Sequence, residues 1–195
     1  MTKYRTDNGD SKYGDTAKDF PIKKSDRVVV EGVGDATICK RIGFMNVEVA
    51  EGRDNVLDKF KDPRHQGRFY VVDGNSKGYR KTVDELRKEG IIGNENPPFY
   101  NYGNKTLVVM GYPLRCFRGD CESVMLMILG ETPSGNSQED KERLMKKTYE
   151  GRVKKNVSAE KFADDVVNYI GLDKLAEGLQ EYMNRTGRFK IYRCP

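Results

Sequence analysis

The sequence predicts an α/β protein with a mainly parallel, four-stranded sheet and helices on both of its faces. The apolar runs VVV, FYVV and TLVVM are continuous rather than alternating, which is typical of strands buried on both faces. A helical pattern follows each strand, and this β-α order places successive strands parallel through right-handed crossovers. The 195 residues, 36% of them apolar, suffice for one modest core.

Strands and helices alternate along residues 26–130. The predicted strands are residues 27–30, 47–50, 69–72 and 107–110. The predicted helices are residues 36–42, a helix capped by Asp54, residues 79–89 and residues 121–129. Asp35 and Asp120 stand at the N-terminal ends of the first and last of these helices, and Gly90 suits the position just past the third.

The chain changes character on either side of this region. Residues 1–25 are polar and non-periodic, so we expect a flexible tail. After Leu129 the linker GETPSGNSQED opens a helical C-terminal extension, residues 131–195, in which a homodimer or protein-partner surface is expected. Its predicted elements are helices over residues 139–149, 159–170 behind Ser158, and 172–183, and a strand in RFKIYR.

Composition narrows the classes of function. A net charge of +5, from 35 basic and 30 acidic residues, is compatible with a phosphate-rich partner. No apolar run reaches the roughly 18 residues of a membrane span and no signal peptide opens the chain, so we expect a cytoplasmic protein without a membrane partner. The four cysteines form no C-x-x-C pair, which disfavours zinc, and His65 is the single histidine, without an orienting group nearby in the sequence. Any catalysis by this chain would therefore use carboxylates and a metal ion.

Acidic residues follow the predicted strands where such chemistry is expected. In parallel sheets, ligands bind at the carboxyl ends of the strands. Glu31 and Asp35 follow the first strand, Asp73 follows the third, and Glu122 opens the helix after the fourth. Carboxylates crowded at one edge repel one another unless a cation intervenes, and Mg²⁺ prefers such oxygen ligands. Helix capping is the alternative role for Asp35, and Asp54 and Asp120 could likewise serve as caps alone.

The glycines of VVVEGVGD allow a second interpretation. Gly32-x-Gly34 between a strand and a helix resembles part of a dinucleotide-binding turn, with Glu48 or Glu51 as the ribose ligand. Thr37, however, occupies the place of the third glycine, and Glu31 would repel a pyrophosphate. We therefore expect Gly32 to serve a tight turn out of the sheet, which keeps Glu31 at its rim.

The motifs VVVEG and VVDGNSKG together resemble the Toprim family of topoisomerases, primases and related nucleases. In that family an apolar strand ends in Glu-Gly, and a later strand ends in D-x-D, often extended to D-x-D-x-x-G. Glu31, Asp73 and Gly78 match this pattern, whereas Asn75 replaces the second aspartate. V-E-G-x-x-D also resembles 5S rRNA maturases and OLD-type nucleases, and Glu122 is similar to an acidic residue beyond the fourth strand of the latter. The resemblance covers roughly residues 26–130 and implies a Toprim-like, Rossmann-like domain that stands alone.

The resemblance implies a Mg²⁺- or Mn²⁺-dependent nuclease or related phosphotransferase acting on DNA or RNA. Glu31 and Asp73 would be its catalytic residues. The implied metal ligands are Glu31, Asp35, Asp73, Asn75 and Glu122. At the start of the next helix the basic residues expected to contact phosphates are Lys77, Arg80 and Lys81. Because Asn75 contributes no charge, the alternative is a catalytically weakened module that binds nucleic acid or a protein partner.

Overall fold

The computed structural model describes residues 23–74, 79–93, 99–111 and 120–184. Within these residues the strands are β1 (Arg27–Val30), β2 (Asn46–Val49), β3 (Phe69–Asp73), β4 (Phe99–Tyr102) and β5 (Lys105–Met110). They form one five-stranded sheet in the order β2-β1-β3-β5-β4. All neighbours are parallel except β4, which is antiparallel to β5. The α/β class and the parallel sheet are confirmed, whereas the prediction of four strands was wrong.

The additional strand is β4, at one edge of the sheet. It joins β5 through the two-residue turn Gly103-Asn104, with Tyr102 paired to Lys105. Gly103 has φ of 57°, a left-handed conformation that glycine adopts without strain. The segment FYNY has only short, alternating apolar character, so it does not resemble the continuous runs that mark the buried strands.

Seven helices complete the described residues. They are α1 (Val33–Arg41), α2 (Arg53–Lys61), α3 (Tyr79–Lys88), α4 (Cys121–Ile128), α5 (Ser137–Thr148), α6 (Ala159–Ile170) and α7 (Leu172–Asn184). Asp120 and Ser158 cap α4 and α6 as predicted, each accepting from a backbone N–H one turn on. The predicted cap of α2 was wrong, because Gly52 holds that position at φ 123° and the Asp54 side chain is 88% exposed.

Helices cover both faces of the sheet. Successive strand residues point to opposite faces, so Val28 and Val30 pack in the core that includes α1 and α4, while Val29 packs in the core that includes α2 and α3. Every residue of β5 is buried, as expected of a strand covered on both sides. The predicted two-sided cover is therefore confirmed, and its reason is the continuous apolar character of the strands.

The helices α5, α6 and α7 pack on the same core as α1 and α4. The Tyr182 hydroxyl on α7 donates to the carbonyl oxygen of Val109 in β5 at 2.8 Å. Gly178 lies so close to α4 that a Cβ there would be 2.5 Å from Ile128. These contacts join the extension to the sheet, while the predicted tail up to residue 22 and the predicted strand RFKIYR lie outside the described residues. No helix in the described part of the chain is long and apolar enough to cross a membrane.

Candidate carboxylate site at the strand ends

Glu31 and Asp73 meet where two neighbouring strands end. β1 and β3 are parallel and adjacent, with Val30 opposite Val71, so the residues that follow these positions emerge at the same edge. The backbone N–H of Asp73 donates to Glu31 Oε1 at 2.9 Å. This bond fixes the Glu31 side chain against the end of the neighbouring strand.

Asp35 comes to the same edge from the first turn of α1. Its Oδ2 accepts from the backbone N–H of Gly32 at 3.3 Å, so it satisfies an amide at the start of the helix. Gly32 itself has φ of −139° and ψ of 172°, an extended conformation that any residue adopts. The expected need for a glycine turn at Gly32 was therefore wrong, and the hydrogen bond to Asp35 directs the chain instead.

The N-terminus of α4 closes the site. The backbone N–H of Cys121, the first residue of α4, donates to Asp73 Oδ1 at 3.2 Å. An amide at a helix N-terminus is a favourable partner for a carboxylate. The half-buried Glu122 follows directly in this first turn. The four carboxylates Glu31, Asp35, Asp73 and Glu122 are called the carboxylate rim below.

Burial and repulsion from neighbouring acids raise the pKa values of all four rim carboxyls. Burial is the largest cause at Asp73, where the charges of Asp35, Glu122 and Glu31 add to it and raise the pKa well above its ordinary value. Burial likewise raises the pKa of Glu31 and of Asp35, although the Asp73 amide and Arg53 act in the opposite direction on Glu31. At Glu122, burial followed by the charge of Asp120 raises the pKa to about 7.

The donor set of the rim is chemically suited to a hard cation. Every side-chain donor is a carboxylate oxygen, and a bound cation would reverse the repulsion that raises these pKa values. Among the described residues, no three His, Cys, Asp or Glu side chains are arranged to hold a metal ion. Mg²⁺ needs no such cage, because it keeps several waters and binds proteins through one or two carboxylates. Glu31 and Asp73 are the pair that the strands bring together.

A pocket of about 70 Å³ lies beside the rim. It opens between helices that the sequence places far apart, and its charged lining residues are Asp35, Glu122 and Lys141. Apolar side chains of four helices line the rest, among them Ile38, Met125, Leu144 and Phe162. Lys141 lies in α5 and was not predicted at the site, since nothing in the local sequence distinguishes it from other surface lysines.

The remaining predicted site residues fall largely outside the described part of the chain. Asn75 and Lys77 belong to residues 75–78, which the structure does not describe. Arg80 and Lys81 lie in the first turn of α3, but their side chains are also outside the description. Their predicted roles in metal and phosphate binding stay predictions.

His65 and Glu48 form a separate cluster. His65 Nδ1 lies 2.9 Å from the Tyr70 hydroxyl, in the segment that leads into β3, and its Nε2 lies 3.4 Å from Glu48. Glu48 also pairs with Lys59 at 3.0 Å. A ribose ligand must be open to the cofactor, so this engagement argues against Glu48 in the dinucleotide interpretation. The other candidate for that role, Glu51, is exposed beyond the end of β2.

A second acidic cluster lies behind the rim. Asp120 and Asp140 are 2% and 0% exposed, and the hydroxyl of Ser123 lies 2.9 Å from an oxygen of each. Asp140 also accepts from the backbone N–H of Ser134 at 2.7 Å and lies 3.5 Å from Arg143. This cluster, called the serine-bridged acid pair below, ties α5 to the first turn of α4. The sequence offered only the cap at Asp120 as a signal for it.

Comparison with known proteins adds no family to this geometry. No protein-family model, no curated protein and no solved structure matches the chain. The Toprim resemblance therefore stays a prediction that rests on the motifs around Glu31 and Asp73, and the α/β class rests on the structure itself.

Proposed function

We propose that the chain is a stand-alone Toprim-like enzyme that cleaves phosphodiester bonds of nucleic acid with Mg²⁺ or Mn²⁺. One observation carries the proposal. Glu31 and Asp73, 42 residues apart in the chain, are hydrogen-bonded at the ends of adjacent parallel strands, and burial raises the pKa of both. The pair corresponds to the two acidic positions of the motifs VVVEG and VVDGNSKG.

The residues of the rim divide into two roles in this proposal. Glu31 is the general base, because a carboxyl with a raised pKa is a stronger proton acceptor than an ordinary carboxylate. Asp73 and Asp35 hold the cation, Glu122 faces them from α4, and Asn75 adds an amide oxygen. The amide of Cys121 keeps Asp73 oriented through the bond to Oδ1. When bound, the ion polarises the phosphate and lowers the pKa of its water.

The test is cleavage of end-labelled DNA and RNA oligonucleotides by the wild type and Glu31→Gln, in Mg²⁺, in Mn²⁺ and in EDTA. We expect cleavage by the wild type with either metal and none in EDTA. Loss of a general base lowers rates by roughly 10²- to 10⁴-fold, so Glu31→Gln should fall by at least 100-fold. Equal cleavage by both proteins, or none by either on any substrate, would contradict the proposal.

Asp54→Asn is the matched control for Glu31→Gln. Asp54 is an acid near the rim, and its charge contributes to the raised pKa of Glu31. Its side chain is 88% exposed, so its removal leaves the rim intact. We expect its cleavage rate to stay within a few-fold of the wild type.

A second candidate function is a module that binds nucleic acid or a protein partner without cleaving. It is favoured by Asn75 at the second acidic position and by the lack of a three-ligand arrangement among the described residues. Titration with Mn²⁺ separates the two candidates. An enzyme should bind the ion through Asp73 and lose that binding in Asp73→Asn, whereas a vestigial site should show the same weak binding in both proteins.

A further inference from the structure

We infer that the loop between α5 and α6, residues 150–158, is a surface that binds the phosphate backbone of nucleic acid beside the carboxylate rim. The inference rests on the proposed function, because it concerns how the substrate of that site is held. A phosphate backbone carries the same sign of charge as the rim, so the rim alone repels it. Cations next to the rim must therefore supply the attraction.

The packing of α6 against α1 brings this loop to the rim. At the start of the two helices, a Cβ on Gly34 would lie 3.7 Å from the carbonyl oxygen of Ala159. At the other end, Arg41 donates to Asn168 at 2.7 Å and pairs with Asp164. The two helices are thus parallel, and α6 begins where α1 begins, at the rim. The loop that leads into α6 must return to the same edge.

The loop carries three exposed cations, Arg152, Lys154 and Lys155. Within the described residues, the side chains of Arg152 and Lys155 make no ion pair or hydrogen bond. Lys161, in the first turn of α6, differs because it pairs with Asp165 at 3.1 Å. Two positive charges of the loop are therefore open to phosphates, while a cation close by is already neutralised.

The loop is held in a defined shape. Glu150 and Gly151 take left-handed conformations with φ of 51° and 86°, which turn the chain sharply after α5. The Lys154 ammonium lies 4.0 Å from the ring centroid of Tyr149, and the Tyr149 hydroxyl donates to Asp165 at 3.0 Å. A surface that is already ordered loses less conformational entropy when a ligand binds.

Lys141 extends the positive charge toward the site. It lines the pocket beside the rim together with Glu122 and Ala159, the residue at which the loop ends and α6 begins. The walls of the pocket thus hold one cation, two rim carboxylates and the residue at which the loop ends. A nucleic-acid strand anchored through its phosphates on the loop would have a neighbouring phosphate within reach of the rim.

The experiment measures binding without metal, so that it does not depend on cleavage. Fluorescent 20-mers of single-stranded DNA, duplex DNA and single-stranded RNA are titrated with full-length protein in EDTA over a range of salt concentrations. The variant Arg152→Gln/Lys155→Gln should bind the preferred 20-mer at least about tenfold more weakly at 50 mM salt. The slope of log affinity against log salt should fall by about 1.4 for a single strand or 1.8 for a duplex, the value for two lost contacts.

The matched control is Lys40→Gln/Lys88→Gln. It removes the same charge from exposed lysines at the far ends of α1 and α3, so long-range attraction falls equally while the loop stays intact. We expect its affinity within about threefold of the wild type and an unchanged salt slope. No binding by the wild type, unchanged binding by the loop variant, or equal losses in both variants would overturn the inference.

The two proposals fail in different ways. If the loop variant binds weakly but the wild type never cleaves, the loop inference holds and the proposed enzyme is wrong. If the wild type cleaves in a Glu31-dependent manner but the loop variant binds normally, the enzyme holds and the loop inference is wrong.

Discussion

Two groups of acids, one buried and one half-buried, meet at the N-terminus of α4, and their surroundings differ. In the serine-bridged acid pair, Asp140 has a backbone N–H and the Ser123 hydroxyl as donors and a guanidinium close by. In the carboxylate rim, Asp73 has the Cys121 amide, and the charges of four neighbouring acids, the three other rim carboxyls and Asp120, raise its pKa further. The first group is satisfied by its surroundings and the second is not.

Under the proposed function, this difference separates a structural group from a catalytic one. Buried charge that is fully hydrogen-bonded holds elements together, and α5 is joined to α4 in this way. Half-buried carboxyls that repel one another lower stability at neutral pH, and perturbed carboxyls of this kind are typical of functional sites. Removal of an acid from the serine-bridged acid pair and of one from the carboxylate rim tests this contrast.

The largest effect is expected for Asp140→Ala. The substitution leaves the Ser134 amide without its acceptor and removes the buried carboxylate that pairs with Arg143, so the free energy of unfolding should fall by about 3 kcal/mol. The loss should be the same in EDTA and in Mn²⁺, because Asp140 belongs to the serine-bridged acid pair and not to the rim that is proposed to bind the ion. Urea unfolding followed by circular dichroism measures it.

Glu139→Ala is the control for this prediction. Glu139 is the neighbouring acid in the first turn of α5 and is exposed. Its removal should therefore lower the free energy of unfolding only by a helix-dipole contribution of about 0.5 kcal/mol. A loss below about 1 kcal/mol in Asp140→Ala, or equal losses in the two variants, would show that the serine-bridged acid pair does not stabilise the packing of α5 against α4.

The rim should make the metal-free protein less stable as pH rises. Burial raises the pKa of Glu122 from 4.5 to about 7, so the folded state binds its proton more tightly than the unfolded state does. Stability present below about pH 4.5 is therefore lost between pH 4.5 and 7, by about 2 kcal/mol for this half-buried group. Mn²⁺ should restore stability at pH 8 but not at pH 5, where protons compete with it.

Urea unfolding in EDTA at pH 5, 6, 7 and 8 measures this loss. Glu122→Gln removes the titrating group, so its stability should vary less with pH and exceed that of the wild type at pH 8. Glu139→Gln, an exposed acid, should follow the wild type. A wild-type stability that rises over this range, or an identical slope in Glu122→Gln, would contradict the raised pKa.

The rim could be predicted from the sequence to a large extent, and the serine-bridged acid pair could not. Continuous apolar strands fix which residues stand at strand ends, and parallel order puts those ends at one edge, so Glu31 and Asp73 were placed by local pattern alone. Asp140 meets Ser123, which lies 17 positions earlier in the chain, across the linker between α4 and α5. No local pattern encodes such a contact, because tertiary packing decides it.

The errors at helix α2 and strand β4 have local physical causes. Asp54 is the predicted cap of α2, but Gly52 takes that position with φ of 123°, which favours glycine, so the helix begins at Arg53, one residue before Asp54. At β4 the two-residue turn Gly103-Asn104 pairs the strand with β5, but the short apolar pattern of FYNY does not by itself predict a strand. Both cases show a glycine conformation deciding a boundary that side-chain patterns leave open.

The smallest effect is expected for the double variant Gly32→Ala/Gly34→Ala. It tests whether the site works through the rim carboxylates or through contact of a phosphate with the backbone of these glycines. Added Cβ atoms would lie 3.8 Å from Asp35 Oδ2 and 3.7 Å from the Ala159 carbonyl oxygen, both ordinary contacts. At Gly34, inside α1, alanine is the better helix former, whereas at the N-cap Gly32 it is the poorer residue. The two effects offset, so stability should change by less than about 0.5 kcal/mol, in either direction. The Gly32 amide already donates to Asp35, so metal-dependent cleavage should stay within about threefold of the wild type. A large loss of cleavage with unchanged stability would mean that a phosphate sits against this backbone, and the dinucleotide interpretation of the turn would return.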